Sequence, residues 1–146
     1  MERQKLAQLA SEAMWAGDRA SKLLGMKIEE VRPGYARLSM RVTRDMLNGY
    51  DTCHGGIIFT LADSAFGYAC NSHNQLSVAA SCSIDFLAPA RTGDVLTATA
   101  AELARAGRAG VYDIRVEKQD GTVVATFRGR STTIRGHWVN TAGAGA

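Results

Sequence analysis

Residues 1–24 place apolar side chains mostly three or four positions apart, with charged residues between them. Leu6 and Ala13 belong to this pattern, which is typical of an amphipathic helix and ends near Gly25. Gly17 lies inside the pattern, and glycine within a helix costs about 1 kcal/mol relative to alanine. We therefore predict a helical segment that caps the rest of the chain and breaks at Gly17 into two shorter helices.

From Met26 onward the hydrophobic period changes to two, which is typical of β-strands. Pro33-Gly34 separates a strand at Lys27–Arg32 from a second one that begins at Tyr35, so these residues predict a hairpin. Further strands are predicted later in the chain, and Asp120-Gly121 is a strong hairpin signal between the last two. The later alternating segments are Val78–Phe86, Leu96–Ala100, Tyr112–Val116 and Val123–Phe127.

The segment Gly55–Cys70 is apolar around nearly its whole circumference and is too long for a typical strand. These properties predict a helix over about residues 55–71 that is buried on most sides. The order of these elements favours an antiparallel α+β architecture: a helical lead-in, two strands, one buried helix and then four strands with short connections.

We therefore predict a single hotdog domain, in which a sheet of about five to six strands wraps around one long helix. The expected limits are 1–24 for the helical segment, 25–136 for the hotdog domain and 137–146 for a flexible tail, since Asn140–Ala146 contains mainly small residues. An open sheet has edges, and pairing of one edge between two chains predicts a dimer at minimum.

A chain of 146 residues fits one domain and leaves no length for a separate cofactor module. The 17 Lys and Arg residues against 14 Asp and Glu give a net charge of +3, which suits an anionic small molecule and is too small for a nucleic-acid-binding surface. Because so small a monomer offers little room for a bulky substrate, we expect a second subunit to complete the site.

The three cysteines, Cys53, Cys70 and Cys82, are widely spaced and form no CxxC pair. This spacing argues against a disulfide framework or a structural zinc site and favours a reducing cytoplasm. No apolar leader follows the first residues, and the longest nearly apolar run, Gly55–Ala62, is too short to span a membrane.

Asp63 is the only charged residue between Gly55 and Cys70. An ionised carboxylate in apolar surroundings costs several kcal/mol unless it is paired or hydrated. Asp63 either reaches solvent or backbone donors, which is a purely structural interpretation, or it belongs to a functional site.

The loop before the predicted buried helix ends in His54-Gly55-Gly56. The first N–H groups of a helix have no intrahelical acceptor, and glycines allow a ligand carbonyl to approach them closely, as in an oxyanion hole. A tight turn explains the two glycines equally well. Asn48-Gly49 likewise indicates first a turn and second a polar group in a cleft.

His54 could act as a general base, although a single histidine before a helix is more often structural. Cys53 could suggest a cysteine hydrolase, but no third orienting group can be inferred. The histidines at 54, 73 and 137 are too dispersed in sequence for a metal site, so none is predicted.

Several short motifs along the chain together carry a family resemblance. They are Met46-Leu-Asn-Gly, Cys53-His-Gly-Gly, Phe59-Thr-Leu-Ala-Asp-Ser-Ala-Phe66, Ala69-Cys-Asn-Ser72, Ser83-Ile-Asp-Phe-Leu87 with Pro89, Gly93-Asp94, Gly110-Val-Tyr-Asp-Ile114 and Phe127-Arg-Gly-Arg-Ser131. Together these motifs resemble the PaaI-type (phenylacetic acid degradation) acyl-CoA thioesterases of the hotdog superfamily, over about residues 20–134. Tyr50 departs from the resemblance, because these proteins commonly have a histidine after the Asn-Gly pair.

The resemblance implies hydrolysis of acyl-CoA thioesters, with aromatic acyl groups such as phenylacetyl or hydroxyphenylacetyl as expected substrates. It implies that the Gly55 N–H binds the thioester carbonyl and that Asp63 acts as general base or nucleophile. Asn48 would position the water or Asp63, His54 would hold the Gly-Gly loop, and Gly56 in that loop would help to bind the substrate.

By the same resemblance, the Asn and Gly come from one subunit and the Asp from its partner, and two dimers pair into a tetramer. No cofactor is expected, because CoA is part of the substrate. Arg91, Arg128 and Arg130, at or near strand ends, could meet the CoA phosphates or be solvated rim charges. Phe59, Phe66 and Leu47 could line the acyl pocket or belong to the core.

Two other functions fit the predicted fold. A hotdog hydratase or dehydratase would need a His paired with an acid, and Asp63 has no His at a matching helical spacing. An acyl-CoA sensor would bind the same ligand without turnover, but the chain has no added DNA-binding helices, and a buried Asp63 would only weaken such a site.

Overall fold

The N-terminal segment folds as two helices in the computed structural model, which describes residues 1–141. Helix α1 runs over Arg3–Ala16 and helix α2 over Arg19–Leu23. Gly17 caps the end of α1, and the Asp18 side chain accepts a hydrogen bond from the Ser21 N–H to begin α2. The predicted break at Gly17 is therefore confirmed.

Within residues 1–141, six strands form one sheet in which every neighbouring pair is antiparallel. The order across the sheet is β1-β2-β4-β5-β6-β3. This arrangement confirms the predicted antiparallel α+β sheet. The strands are β1 (Lys27–Arg32), β2 (Tyr35–Arg41), β3 (Gln75–Phe86), β4 (Val95–Ala106), β5 (Ala109–Glu117) and β6 (Val123–His137).

Helix α3 (Gly55–Cys70) packs across the inner face of the sheet and contacts β2, β4 and β5. Its apolar side chains bury themselves against the inward residues of those strands, with Leu61 and Ala65 fully excluded from solvent. Because α3 has few polar residues on any side, the sheet must curve around it to keep water out. The molecule therefore has the predicted hotdog architecture.

Strands β4 and β6 are longer than their alternating segments predicted. Gly107, with a φ of +59°, makes the tight turn that joins β4 to β5. Within β6, the absence of a side chain at Gly129 allows the Phe66 ring of α3 to approach, since an added Cβ atom would lie 2.7 Å from that ring. Gly129 interrupts the hydrophobic alternation, which explains why the sequence pattern alone ended β6 too early.

The expected tail, residues 137–146, begins with residues that belong to the fold. His137 ends β6, its Nδ1 lies 2.8 Å from the Asn74 carbonyl oxygen, and the Trp138 and Val139 N–H groups donate to Asn74 Oδ1. The predicted boundary after residue 136 is therefore wrong by at least three residues, because the carbonyl and side chain of Asn74 hold residues 137–139 by hydrogen bonds. Residues 142–146 lie outside the described part of the chain.

The two edges of the sheet differ. Helix α1 packs against β1 at one edge. At the other edge β3 is long, and its residues 78–81 are exposed one after another. An open strand edge presents unpaired N–H and C=O groups that can pair with another chain.

Candidate active site

The first residues of α3 leave one backbone donor free. His54 caps the helix, because its Nδ1 accepts a hydrogen bond from the Gly56 N–H at 2.9 Å and its carbonyl accepts from Ile57 and Ile58. Among residues 1–141, nothing accepts a hydrogen bond from the Gly55 N–H. Because the positive end of the helix dipole lies there, this N–H is suited to bind a carbonyl oxygen or an oxyanion.

The free N–H lies in a cleft of about 370 Å³ that Asn48 and Gly55 line together with residues 86–89. A Cβ atom on Gly55 would lie 3.1 Å from the Phe86 ring, which is itself 53% exposed. The missing side chain at Gly55 therefore keeps space open between this ring and the helix N-terminus.

Asn48 stabilises the turn that the Asn48-Gly49 pair predicted. Its Oδ1 accepts hydrogen bonds from the Tyr50 N–H at 2.9 Å, the Thr52 N–H at 3.2 Å and the Thr52 hydroxyl at 3.1 Å. Its Nδ2 has no acceptor in the described part of the chain, so Asn48 both shapes the loop and retains a donor for the cleft.

Asp63 lies half-buried on α3, and its carboxylate has no hydrogen bond or ion pair with any other described residue. Burial raises the pKa of this carboxyl above its usual value. The structure thus gives Asp63 none of the backbone hydrogen bonds that a purely structural role would supply. An ionised carboxylate without donors is a base that is able to accept a proton from water.

A single protomer does not bring Asp63 and Gly55 together. Eight residues along a helix correspond to about 12 Å. Asp63 instead lines a second cavity of about 540 Å³, between α3, the N-terminal helices and β3. Asp63 and the Gly55 N–H therefore face different cavities of the protomer.

The three apolar side chains considered as pocket walls behave differently. Phe66 lines the Asp63 cavity and also packs against Tyr112 and Phe127. Phe59 packs edge-on against Phe127, with ring centroids 5.1 Å apart. Leu47 is partly buried against the core.

The environment of the cysteines does not support a cysteine hydrolase. All three are free thiols, and burial raises the pKa of Cys53 to about 11 and that of Cys70 to about 12. The pKa of Cys82 is raised by burial and by the negative charge of Asp63. At neutral pH these groups are protonated, whereas a nucleophilic cysteine needs the thiolate.

The three arginines expected at strand ends are placed differently from one another. Arg91 is exposed in the loop before β4, beside Ala90, whose carbonyl accepts a hydrogen bond from the Cys53 N–H. Arg128 and Arg130 lie inside β6, with exposed side chains on the face opposite α3, so their expected position at a strand end is wrong.

Arg128 is already engaged with an acidic partner. Its guanidinium binds both carboxylate oxygens of Asp113, at 2.7 and 3.0 Å. This bidentate pairing occupies guanidinium N–H groups of Arg128 that a phosphate would otherwise bind.

Two residues near the site, Phe86 and Asn71, make contacts that no local sequence pattern predicted. Phe86 lies in a predicted strand and in one of the motifs of the family resemblance, but its position over Gly55 depends on how β3 ends near the helix. Asn71 is buried and joins three segments, since it donates to the Gly67 and Ser77 carbonyls and accepts from Trp138 Nε1 at 2.7 Å. Asn71 belongs to the matched motif Ala69-Cys-Asn-Ser72, but no role was predicted for it.

Two features of the described residues bear on other functions. None of their helices is both long and apolar enough to cross a membrane. Within residues 1–141, no three His, Cys, Asp or Glu side chains are grouped so as to hold a metal ion.

Comparisons with known proteins identify the family. The Thioesterase superfamily model matches residues 50–125, which include the α3 start, Asp63 and most of the sheet. Acyl-coenzyme A thioesterase PaaI of Escherichia coli is 48% identical over 126 residues, covering 86% of this chain and 90% of that protein.

Solved structures give the same result. The E. coli PaaI protein from the phenylacetic acid degradation operon superimposes with a TM-score of 0.91 at 45% identity, covering 93% of this chain and 99% of that one. A Streptococcus mutans protein bound to acetyl CoA superimposes with a TM-score of 0.74 at 25% identity, covering 77% and 90%. The chain therefore belongs to the thioesterase superfamily, among its PaaI-type members with the hotdog fold.

Proposed function

We propose that this protein hydrolyses acyl-CoA thioesters to a free acid and CoA, with aromatic acyl groups such as phenylacetyl or hydroxyphenylacetyl as preferred substrates. The observation that carries the proposal is the free Gly55 N–H at the start of α3, in a cleft kept open by the missing side chain. An unpaired donor at a helix N-terminus stabilises the negative charge that develops on a thioester oxygen.

The reaction requires a base as well as this donor. In one route, Asp63 accepts a proton from water while the water oxygen bonds to the carbonyl carbon. The C–S bond then breaks, and the CoA thiolate takes up a proton. In the other route, Asp63 attacks directly and forms a mixed anhydride that water hydrolyses. The Asn48 Nδ2 would hold the water or the carboxylate, and His54 would fix the Gly55-Gly56 turn.

The separation of Asp63 from Gly55 supports a site shared between two subunits. The open edge of β3 offers the surface on which a second copy would pair, and its exposed residues 78–81 adjoin the Asp63 cavity through Val78 and Ala79. In such a dimer, Gly55 and Asn48 of one protomer meet Asp63 of its partner. Two dimers pairing into a tetramer complete the proposed assembly.

The substrate class is supported by the relatives. The E. coli relative is named an acyl-coenzyme A thioesterase and its structure is described as part of the phenylacetic acid degradation operon. For the CoA phosphates we propose Arg91 and Arg130, which are exposed, ahead of Arg128, which Asp113 already binds. The reaction needs no cofactor, and the three free thiols suit a reducing cytoplasm.

Thiol release from a panel of acyl-CoA esters tests the proposal. We expect the wild type to hydrolyse phenylacetyl-CoA and the Asp63→Asn variant to lose activity by about 10²–10⁴-fold, because amide nitrogen and oxygen accept no proton from water at neutral pH. Asp45→Asn is the matched control, since Asp45 is exposed and lines neither cavity.

The outcomes separate the alternatives. A wild type that binds CoA esters but releases no thiol from any of them would favour an acyl-CoA sensor. Equal activity in the Asp63→Asn and Asp45→Asn variants would remove Asp63 from the mechanism while leaving the thioesterase activity in place.

A further inference from the structure

The Asp63 cavity has one wall that the catalytic groups do not explain. Thr60, Asp63 and Gly67 of α3 form one side. Across from them lie residues of the N-terminal helices, including Met14 and Gly17. The segment predicted as a cap thus forms part of the cavity that holds the proposed base.

Met14 lines this cavity and packs against α3 at Gly67, one turn after Asp63. The Met14 Cε atom lies 3.3 Å from the point that a Cβ atom on Gly67 would occupy. Gly67 follows Asp63 by four residues, so it lies on the same face of α3 about 6 Å along the helix. The methionine therefore occupies space that a side chain on Gly67 would otherwise take.

The wall is fixed to α3 beside the proposed base. The Tyr68 hydroxyl donates to Asp18 Oδ2 at 2.9 Å, and the Ser21 and Ser64 hydroxyls are hydrogen-bonded at 2.9 Å. Because Asp18 and Ser21 flank the start of α2, these bonds hold the break between α1 and α2 against the helix that carries Asp63. Because these two hydrogen bonds fix the N-terminal helices to α3, this wall of the cavity limits how far a ligand can extend.

We propose that Met14 forms the end wall of the acyl pocket and sets the longest acyl group that the enzyme accepts. This inference rests on the proposed thioesterase function. Small aromatic acyl groups fit between Asp63 and Met14, whereas longer ones meet the Met14 side chain. Hydrophobic pockets discriminate by about 10–200-fold for each methylene that does not fit.

Two substitutions at Met14 test this assignment in opposite directions. For Met14→Ala, we expect kcat/KM for 3-phenylpropionyl-CoA, which is one methylene longer, relative to phenylacetyl-CoA to rise by at least about tenfold, because the wall is removed. For Met14→Phe, a bulkier ring should lower the same ratio below that of the wild type. General destabilisation of α1 would not move the two ratios in opposite directions.

Leu9→Ala is the matched control, since Leu9 is a half-buried apolar residue of the same helix that does not line the Asp63 cavity. We expect its ratio to equal that of the wild type. Unchanged ratios in active Met14 variants, or an equal shift in Leu9→Ala, would overturn the role of Met14 and leave the thioesterase function intact. A wild type inactive on every ester would overturn both.

Discussion

The catalytic role proposed for Asp63 carries an energetic cost. Its carboxyl is half-buried, has no hydrogen-bond donor among the described residues, and has a raised pKa because of burial. A raised pKa makes the carboxylate a stronger base, but the folded protein then bears the cost of ionising it. Natural active sites commonly reduce stability in this way.

The pH dependence of activity and stability should differ in sign. Since the proposed mechanism needs ionised Asp63, we expect kcat/KM to fall as the pH drops through the raised pKa. Stability behaves oppositely: in the folded state Asp63 binds its proton more tightly than in the unfolded state. Ionisation of Asp63 therefore lowers the free energy of unfolding. This loss is complete at pH values above the folded-state pKa and absent below the unfolded-state pKa of about 3.9.

Asp63→Asn removes this titration, so its thermal midpoint should exceed that of the wild type at neutral pH. The difference should shrink as the pH falls towards about 3.9. Thermal denaturation of the two proteins across this range measures it, with Asp45→Asn as the exposed control. A wild type more stable than Asp63→Asn at neutral pH would mean that a donor reaches the carboxylate in the assembled protein.

At the scale of the elements, the fit between α3 and β6 depends on the absence of a side chain at Gly129. Gly129→Ala would place a methyl group 2.7 Å from the Phe66 ring, which also packs against Tyr112 and Phe127. Such overpacking typically costs about 1–3 kcal/mol of unfolding free energy. Denaturant unfolding should detect this loss.

Gly49→Ala is the appropriate comparison for that experiment. Gly49 has no atom within 4 Å of an added Cβ position and no positive φ, so its substitution should change stability by less than about 0.5 kcal/mol. Equal losses in both variants would contradict close packing at Gly129 and would point instead to a general effect of replacing glycine.

At the scale of the whole molecule, the separation of Gly55 and Asp63 predicts complementation between subunits. Gly55→Pro removes the N–H, and the first helical position tolerates proline. His54, with φ −58° and ψ 133°, already has the conformation favoured before proline. Purified heterodimers of Gly55→Pro with Asp63→Asn should regain about half of the wild-type activity, because one of two shared sites is intact.

A second heterodimer completes the test. A chain carrying both substitutions, paired with a wild-type chain, should be inactive, because each shared site then contains one defective group. Gly55→Ala, which keeps the N–H, controls for the added side chain near Phe86. The opposite result, an active second heterodimer and an inactive first one, would mean that each protomer holds a complete site.

The sequence by itself determined the elements and the candidate chemistry. Hydrophobic period distinguishes strands from helices locally, so the hairpin, the buried helix and the break at Gly17 were predictable. One charge within an apolar helix made Asp63 a candidate for a functional site, and two glycines at the helix start made the Gly55 N–H a candidate donor. Each of these signals lies within a short stretch of chain.

Tertiary structure decided what depends on contacts between distant segments. Gly129 interrupts the hydrophobic alternation although β6 continues past it. The Phe66 ring of α3 leaves no room for a side chain at this position, and this contact cannot be read from the local sequence. Asn74 is hydrogen-bonded to residues 137–139, which were expected to belong to the flexible tail. The free N–H of Gly55, the engaged Arg128 and the position of Met14 near Gly67 likewise follow from packing, which no local pattern encodes.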